Sequence, residues 1–204
     1  MSRFPRTIRL AEPPLASPFP NRLRSLLTFA AHACLLMVFV VLVSGCATPP
    51  GSIALNGVPN FHRINSRLYR SAQPNLEGLS ALAETGIKTV INLRMSDDIL
   101  PKEAETAIAA GMTYRNVPLS GWRRPTDEQV NTVLALIDAS TPPVLIHCER
   151  GADRTGTIIA CYRIRSENWS AERALDEAER LGMAWGELGM KSYVRDFARN
   201  QPAH

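Results

Sequence analysis

The chain is short of cysteine, of charge imbalance and of repeats, and each shortage removes a class of protein. Its 204 residues hold four cysteines. Cys34 and Cys46 lie before residue 47, so only Cys148 and Cys161 serve the rest, which excludes a disulfide scaffold. The formal charge of +4 points at first to an acidic partner, but the imbalance is local. Residues 1–46 hold Arg3, Arg6, Arg9, Arg22 and Arg24 against Glu12 alone. The remainder keeps 18 of the 23 basic and 18 of the 19 acidic residues. A formally neutral remainder carries no electrostatic footprint for nucleic acid, and no nucleic-acid partner is expected. Residues 60–204 contain no internal repeat and no low-complexity segment, which removes repeat architectures.

What is present begins with an address. Residues 1–25 are rich in Arg and Pro, and Leu26 to Val43 is almost wholly apolar. A basic stretch, an apolar run and small residues before a cut define a secretory signal. Val43-Ser44-Gly45-Cys46 resembles the lipobox of bacterial lipoproteins. That resemblance implies lipidation of Cys46, cleavage before it, and sorting to the outer membrane facing the periplasm, since Ala47 rather than Asp follows. The competing reading is an uncleaved transmembrane anchor, because the apolar run is about long enough to span a bilayer. Both readings place the domain outside the cytoplasm. The expected organisation is a signal over 1–45, a Pro/Gly-containing tether over 46–59 and one domain over 60–204.

Within the domain, apolar strands alternate with helical patterns. Leu68-Tyr69-Arg70, Ile87–Leu93, Met112–Leu119 and Val144–His147 read as strands. Asn75 caps a helix through Glu84, Pro101 opens a second helix that ends at Gly111, and Thr126 caps a third. Helices are also expected over Thr155–Ser166, Ser170–Leu181 and about Met190–Ala198, with Arg163, Arg165, Arg173 and Arg180 on exposed faces and Cys161 buried. The alternation predicts an α/β fold, a small mostly parallel sheet flanked by helices.

One segment carries chemistry. His147-Cys148-Glu149-Arg150-Gly151-Ala152-Asp153-Arg154-Thr155-Gly156 joins the end of a strand to the start of a helix. In open α/β sheets ligands bind at such junctions. A short loop curled there turns its backbone N–H groups inward, and with the helix N-terminus they form an anion cradle. Gly151 supplies a backbone conformation that other residues resist. The same field favours the thiolate of Cys148, the nucleophilic form. Thr155 is placed to donate its hydroxyl to that sulfur, and the Arg154 guanidinium offers a planar fork for two phosphoryl oxygens.

HCERGADRTG matches the His-Cys-x5-Arg-Thr/Ser signature of the protein tyrosine and dual-specificity phosphatase superfamily. The stretches LYRSAQP at 68–74, GIKTVINLR at 86–94 and PVLIHC at 143–148 are similar to the atypical dual-specificity phosphatases of plants and fungi and their bacterial relatives. The resemblance covers about residues 60–165. It implies a phosphatase fold and a two-step hydrolysis without metal or cofactor, in which Cys148 forms a phosphocysteine that water then resolves. Residues Glu149, Arg150, Gly151, Ala152, Asp153 and Arg154 would hold the phosphate of a phosphorylated protein or small ligand.

The leaving oxygen needs a proton, and related phosphatases take it from an Asp on a separate loop. Here Ser120, Gly121, Arg123 and Arg124 stand where that Asp is expected. Asp153 is the leading candidate, because Cys-x4-Asp-Arg resembles myotubularin lipid phosphatases and certain secreted bacterial phosphatases, whose loop Asp has the acid role. That resemblance also brings in phosphoinositides and inositol phosphates as substrates. Asp127 is the second candidate, although an acid at a helix start also has a dipole role. Asp97 and Asp98 follow. Trp122, Arg123 and Arg124 read as rim residues for the body of an anionic substrate, and Arg94 as a second residue facing the pocket. Two other functions stay open: a non-catalytic module that holds phosphorylated ligands, and a rhodanese-like sulfurtransferase.

Overall fold

A computed structural model describes residues 51–201. The lipobox cysteine Cys46 and the apolar run before it therefore lie outside the described residues. Among the described residues no helix is long and apolar enough to cross a membrane.

Five strands form one sheet: β1 (His62–Arg63), β2 (Leu68–Ser71), β3 (Thr89–Asn92), β4 (Thr113–Asn116) and β5 (Val144–His147). Their order is β1-β2-β5-β3-β4. Strands β2, β5, β3 and β4 are mutually parallel, and β1 runs antiparallel to β2 at one edge. The expected mostly parallel sheet is what the chain forms. The strand β1 had no clear sequence signal, because two residues cannot establish a period.

Six helices cover the sheet: α1 (Leu76–Glu84), α2 (Glu103–Ala109), α3 (Asp127–Ala139), α4 (Asp153–Glu167), α5 (Ala171–Arg180) and α6 (Leu188–Arg199). A turn of 3-10 helix, Ser96–Asp98, follows β3. The central strand β5 divides its side chains by the two-residue period of a pleated strand. Val144 and Ile146 join the core under α3 to α6, and Leu145 joins Leu79, Leu82 and Ala107 under α1 and α2. All four residues of β5 are buried, as a strand covered on both faces requires.

The helix starts follow from their caps. The Asn75 side chain accepts from the Gly78 N–H, and Thr126 with Gln129 closes a reciprocal capping box at α3. The helix after the phosphate-type loop begins at Asp153, two residues before the expected start. The Gly156 N–H already bonds to the Ala152 carbonyl at 2.6 Å, which closes the first turn there. Residues 148–152 alone therefore bridge β5 and α4.

Two expectations are corrected. The tether expected over 46–59 is, from Gly51 on, part of the domain. Ile53 donates its N–H to Phe61 at 2.9 Å, Asn75 donates to Gly57 at 2.9 Å and Ala72 to Pro59 at 2.8 Å. Val58 and Leu55 are the reason, since both pack with Leu79 and Leu82. Arg163, expected on an exposed face, is buried. Its guanidinium bonds Glu167 at 2.5 Å and Glu177 at 2.7 Å and lies 4.3 Å over the Trp169 ring, joining α4 to α5. Cys161 is buried as expected, and burial raises its thiol above the ordinary range.

Candidate active site

The carboxyl ends of the parallel strands meet at a cavity of about 600 Å³. Cys148, Glu149, Arg150, Asp153 and Arg154 line one side. Asp97 and Asp98 come from the turn after β3, Gly121 and Trp122 from the loop before α3, and Glu187 from the start of α6. The sequence already assigns the first group, Asp97, Asp98 and Trp122 to this site, and Glu187 is the acid that the fold adds.

Cys148 is buried directly after β5, and Arg154 is the second residue of α4. Among the described residues, the only acid within 4 Å of the Arg154 guanidinium is Glu149, at 3.7 Å. That separation is beyond hydrogen-bond reach, so the fork of donors is unspent. Gly121 lies over it: a Cβ added there would be 3.8 Å from Arg154 Cζ. The Thr155 hydroxyl is buried with no hydrogen-bond partner among the described residues. The bond to the Cys148 sulfur expected from the sequence is not made, and a buried hydroxyl in that state keeps its donor available to an incoming group.

The loop is shaped from behind. Gly151 has φ +64°. A Cβ there would lie 2.4 Å from the carbonyl carbon and oxygen of Ser71, so β2 runs where any side chain would go. Arg70, on β2, is fully buried and donates from Nη2 to the Gly151 carbonyl. Asn60 donates to the carbonyls of Arg150 (3.1 Å), Gly151 (3.3 Å) and Leu181 (3.3 Å). The Gln73 N–H donates to the Glu149 carbonyl at 3.0 Å. Carbonyls drawn outward by these donors leave the loop amides for the inside of the curl.

A second polar cluster underlies His147. Its Nε2 lies 2.9 Å from Glu103 Oε1, and both side chains are wholly buried. Glu103 also accepts from Asn92 Nδ2 at 2.9 Å and from the Tyr114 hydroxyl at 3.3 Å. Burial alone would raise the Glu103 carboxyl, but the bond to His147 and its charge outweigh that and hold it below its ordinary value. Burial pushes Tyr114 up to about 12.

The acid candidates separate cleanly in space. Asp153 lines the cavity, with Oδ1 accepting the Ala184 N–H at 2.9 Å and Oδ2 paired with Arg150. Asp127 does not line it: its carboxylate accepts the Tyr193 hydroxyl at 2.8 Å. Its position in the first turn of α3 gives it a dipole and packing role, so Asp127 is withdrawn as a catalytic residue. Asp98 lines the cavity, but its bond with Arg94 holds its carboxyl below the usual range, which suits a permanent anion. Arg94 does not line the cavity, because it is drawn to Asp98 and to Gln73 Oε1 at 2.9 Å. Of the three rim residues, only Trp122 lines the opening. Arg124 is drawn away to Asp196 at 2.6 Å and stacks 5.0 Å from the Tyr193 ring centroid.

A cysteine and an arginine on a strand–loop–helix cradle define a cysteine-dependent phosphatase of the protein tyrosine and dual-specificity type. The comparisons agree. Residues 57–196 match the family described as PTP-NADK, DSP-PTPase phosphatase fused to NAD+ kinase, and the chain belongs to this phosphatase family. It is 29% identical over 149 residues to inositol diphosphatase DSP5 of Arabidopsis thaliana, covering 68% of this chain and 70% of that one. It is 32% identical over 138 residues to the dual specificity protein phosphatase TpbA of Pseudomonas aeruginosa, covering 66% of this chain but only 60% of that one. The crystal structure of TpbA in complex with pTyr superposes with a TM-score of 0.60 at 28% identity, covering 76% of this chain and 99% of that one. The catalytic core of the Saccharomyces cerevisiae PP-IP phosphatase SIW14 shares the fold, with a TM-score of 0.64 at 24% identity over 72% of this chain and 90% of that one.

Sequence reasoning missed Asn60, Arg70 and Glu103. Arg70 left one signal, a charge inside an apolar strand. Glu103 looked like any solvated acid in a first helical turn, and Asn60 like a loop residue.

Proposed function

We propose that this protein hydrolyses phosphate monoesters of phosphorylated proteins or of inositol phosphates, with Cys148 as nucleophile and Asp153 as general acid. The observation that carries the reading is the meeting of Cys148, Asp153 and an Arg154 without a close ion-pair partner at one cavity. Its relatives include enzymes named for each substrate class.

In the first step the Cys148 sulfur bonds to phosphorus and the ester P–O bond breaks. The departing oxygen takes the proton of Asp153. The loop amides and the Arg154 fork carry the equatorial charge of the transition state. In the second step water bonds to phosphorus, the S–P bond breaks, and the water proton passes to the Asp153 carboxylate. The Ala184 N–H fixes one Asp153 oxygen. The other is covered only by Arg150, whose side chain is largely exposed and free to swing aside.

An aryl phosphate and thiosulfate, each assayed beside Cys148→Ser, test the class. Thiosulfate turnover with inert aryl phosphate would identify a sulfurtransferase, and tight phosphate binding without turnover a binding module. Asp153→Asn should slow alkyl phosphates by about 100-fold and activated aryl phosphates far less, since good leaving groups need little protonation. An equal loss on both would remove Asp153 from the acid role.

We also propose that the domain lies outside the cytoplasm on a lipid anchor at Cys46, a reading supported by the apolar run and lipobox over residues 26–46. Cys46→Ala should abolish incorporation of labelled fatty acid. An unchanged membrane fraction would indicate an uncleaved helix.

A further inference from the structure

The rim of the cavity has the wrong charge for a polyanion. Asp97, Asp98, Glu149, Asp153 and Glu187 line it against Arg150 and Arg154. Arg154 is committed to the transferring phosphoryl group and Arg94 is held by Asp98 and Gln73, which leaves Arg150, paired with Asp153 at rest, as the one other basic side chain on the cavity wall among the described residues. Among the described residues, Asp97 and Glu187 have no basic partner within 4 Å. The arginines of the loop before α3 do not supply a second phosphate site, with Arg124 held by Asp196 and Arg123 off the cavity wall. A ligand with several phosphates would seat one and press the others against carboxylates.

The same rim is apolar in one place. Trp122 is 92% exposed and follows Gly121, whose backbone covers Arg154. Met95 is also exposed at the opening. A tryptophan left in water beside a phosphate site is a flat anchor for something that arrives.

We infer that the substrate is a phosphotyrosine in a peptide segment with basic neighbours, with Trp122 packing against the segment and Asp97, Glu149 and Glu187 reading its charge. This deepens the phosphatase reading above and rests on it. A single phosphate satisfies the cradle, a phenyl ring carries it past the apolar rim, and flanking Lys or Arg meets the rim carboxylates.

The test is steady-state kinetics of the full-length protein on two phosphotyrosine peptides that differ only in having Lys or Asp on both sides, with an aryl phosphate and inositol hexakisphosphate assayed alongside. The basic peptide should show kcat/KM about tenfold or more above the acidic one at low ionic strength, narrowing to about two- or threefold in ~0.5 M salt. The double variant Asp97→Asn, Glu187→Gln should narrow the ratio at low salt. Trp122→Ala should lower kcat/KM for the basic peptide about tenfold, mainly through KM. Equal use of the two peptides, or faster turnover of the inositol phosphate, with aryl phosphate still hydrolysed, would overturn the inference alone. Inert aryl phosphate would overturn the phosphatase reading and the inference together.

Discussion

Replacing Arg70 by Met should leave the protein as stable as before or more so, while its turnover falls. Arg70 is fully buried on β2, and its one hydrogen bond among the described residues goes to the Gly151 carbonyl. Nε and Nη1 have no partner there. Burial lowers the guanidinium to about 10, against the opposing pull of Cys148, Glu177 and Asp153. For a base, a lowered folded value means that the charged form is disfavoured by folding. The penalty is fully present below about 10 and eases only as pH climbs toward the ordinary value of 12.5. At neutral pH it amounts to about 3 kcal/mol. Met has similar reach and no charge to bury, so the variant sheds that cost. It loses one charge-assisted bond, about 1.5–3 kcal/mol. The balance is a change between zero and about +2 kcal/mol, in line with other buried charges replaced by apolar groups. Activity moves the other way, because the Gly151 carbonyl keeps only the Asn60 donor and the cradle loses a cation behind it. A fall of at least about tenfold in kcat/KM on an aryl phosphate is expected. Urea midpoints and initial rates on the same preparations decide it. A variant destabilised by more than about 3 kcal/mol with unchanged rates would refute the reasoning and make Arg70 a purely structural staple.

Two further outcomes follow from the packing around the loop. Gly151→Ala drives a Cβ to 2.4 Å from Ser71 at a φ of +64°, so it should lower the melting temperature by at least about 5 °C and remove aryl phosphatase activity; an active, equally stable variant would show that β2 yields. Glu103→Gln removes the carboxylate from the buried contact with His147 and should lower stability at neutral pH by about 1–3 kcal/mol. Because the folded Glu103 carboxyl is held below its ordinary value, its stabilising contribution is present above about 4.5 and fades as pH falls below it. Wild type and Glu103→Gln should therefore converge in urea midpoint between pH 7 and pH 3.5, and parallel curves would contradict this.

The parts of the fold that could be read along the chain are those with local causes. Asn75 and Thr126 announce α1 and α3 because a cap bonds three residues ahead. Val144–His147 reads as a buried strand because both of its faces are covered. The Cys148–Arg154 spacing reads as a cradle because loop length and helix start are neighbours in sequence. What could not be read depends on distant partners. Arg70 meets Gly151 across 81 residues, and Asn60 meets Arg150 across 90. Arg124 looked like a ligand for an anionic substrate until Asp196 appeared beside it. The charge of the rim was not legible either, because the acidic residues at the opening meet only in the fold. No single segment carries that balance, since Asp97, Glu149 and Glu187 come from three parts of the chain.

The donors behind the phosphate loop also fix when its order is established. Asn60, Arg70 and Gln73 hold the carbonyls of residues 149–151 through the protein's own donors. The conformational entropy of the curl is therefore lost on folding, not on arrival of the anion. Amide protons of residues 149–154 should exchange with solvent only through large-scale opening, at nearly the same rate with or without bound vanadate or phosphate. An anion meets a finished receptor, so its association should run near the encounter limit with no slow ordering phase.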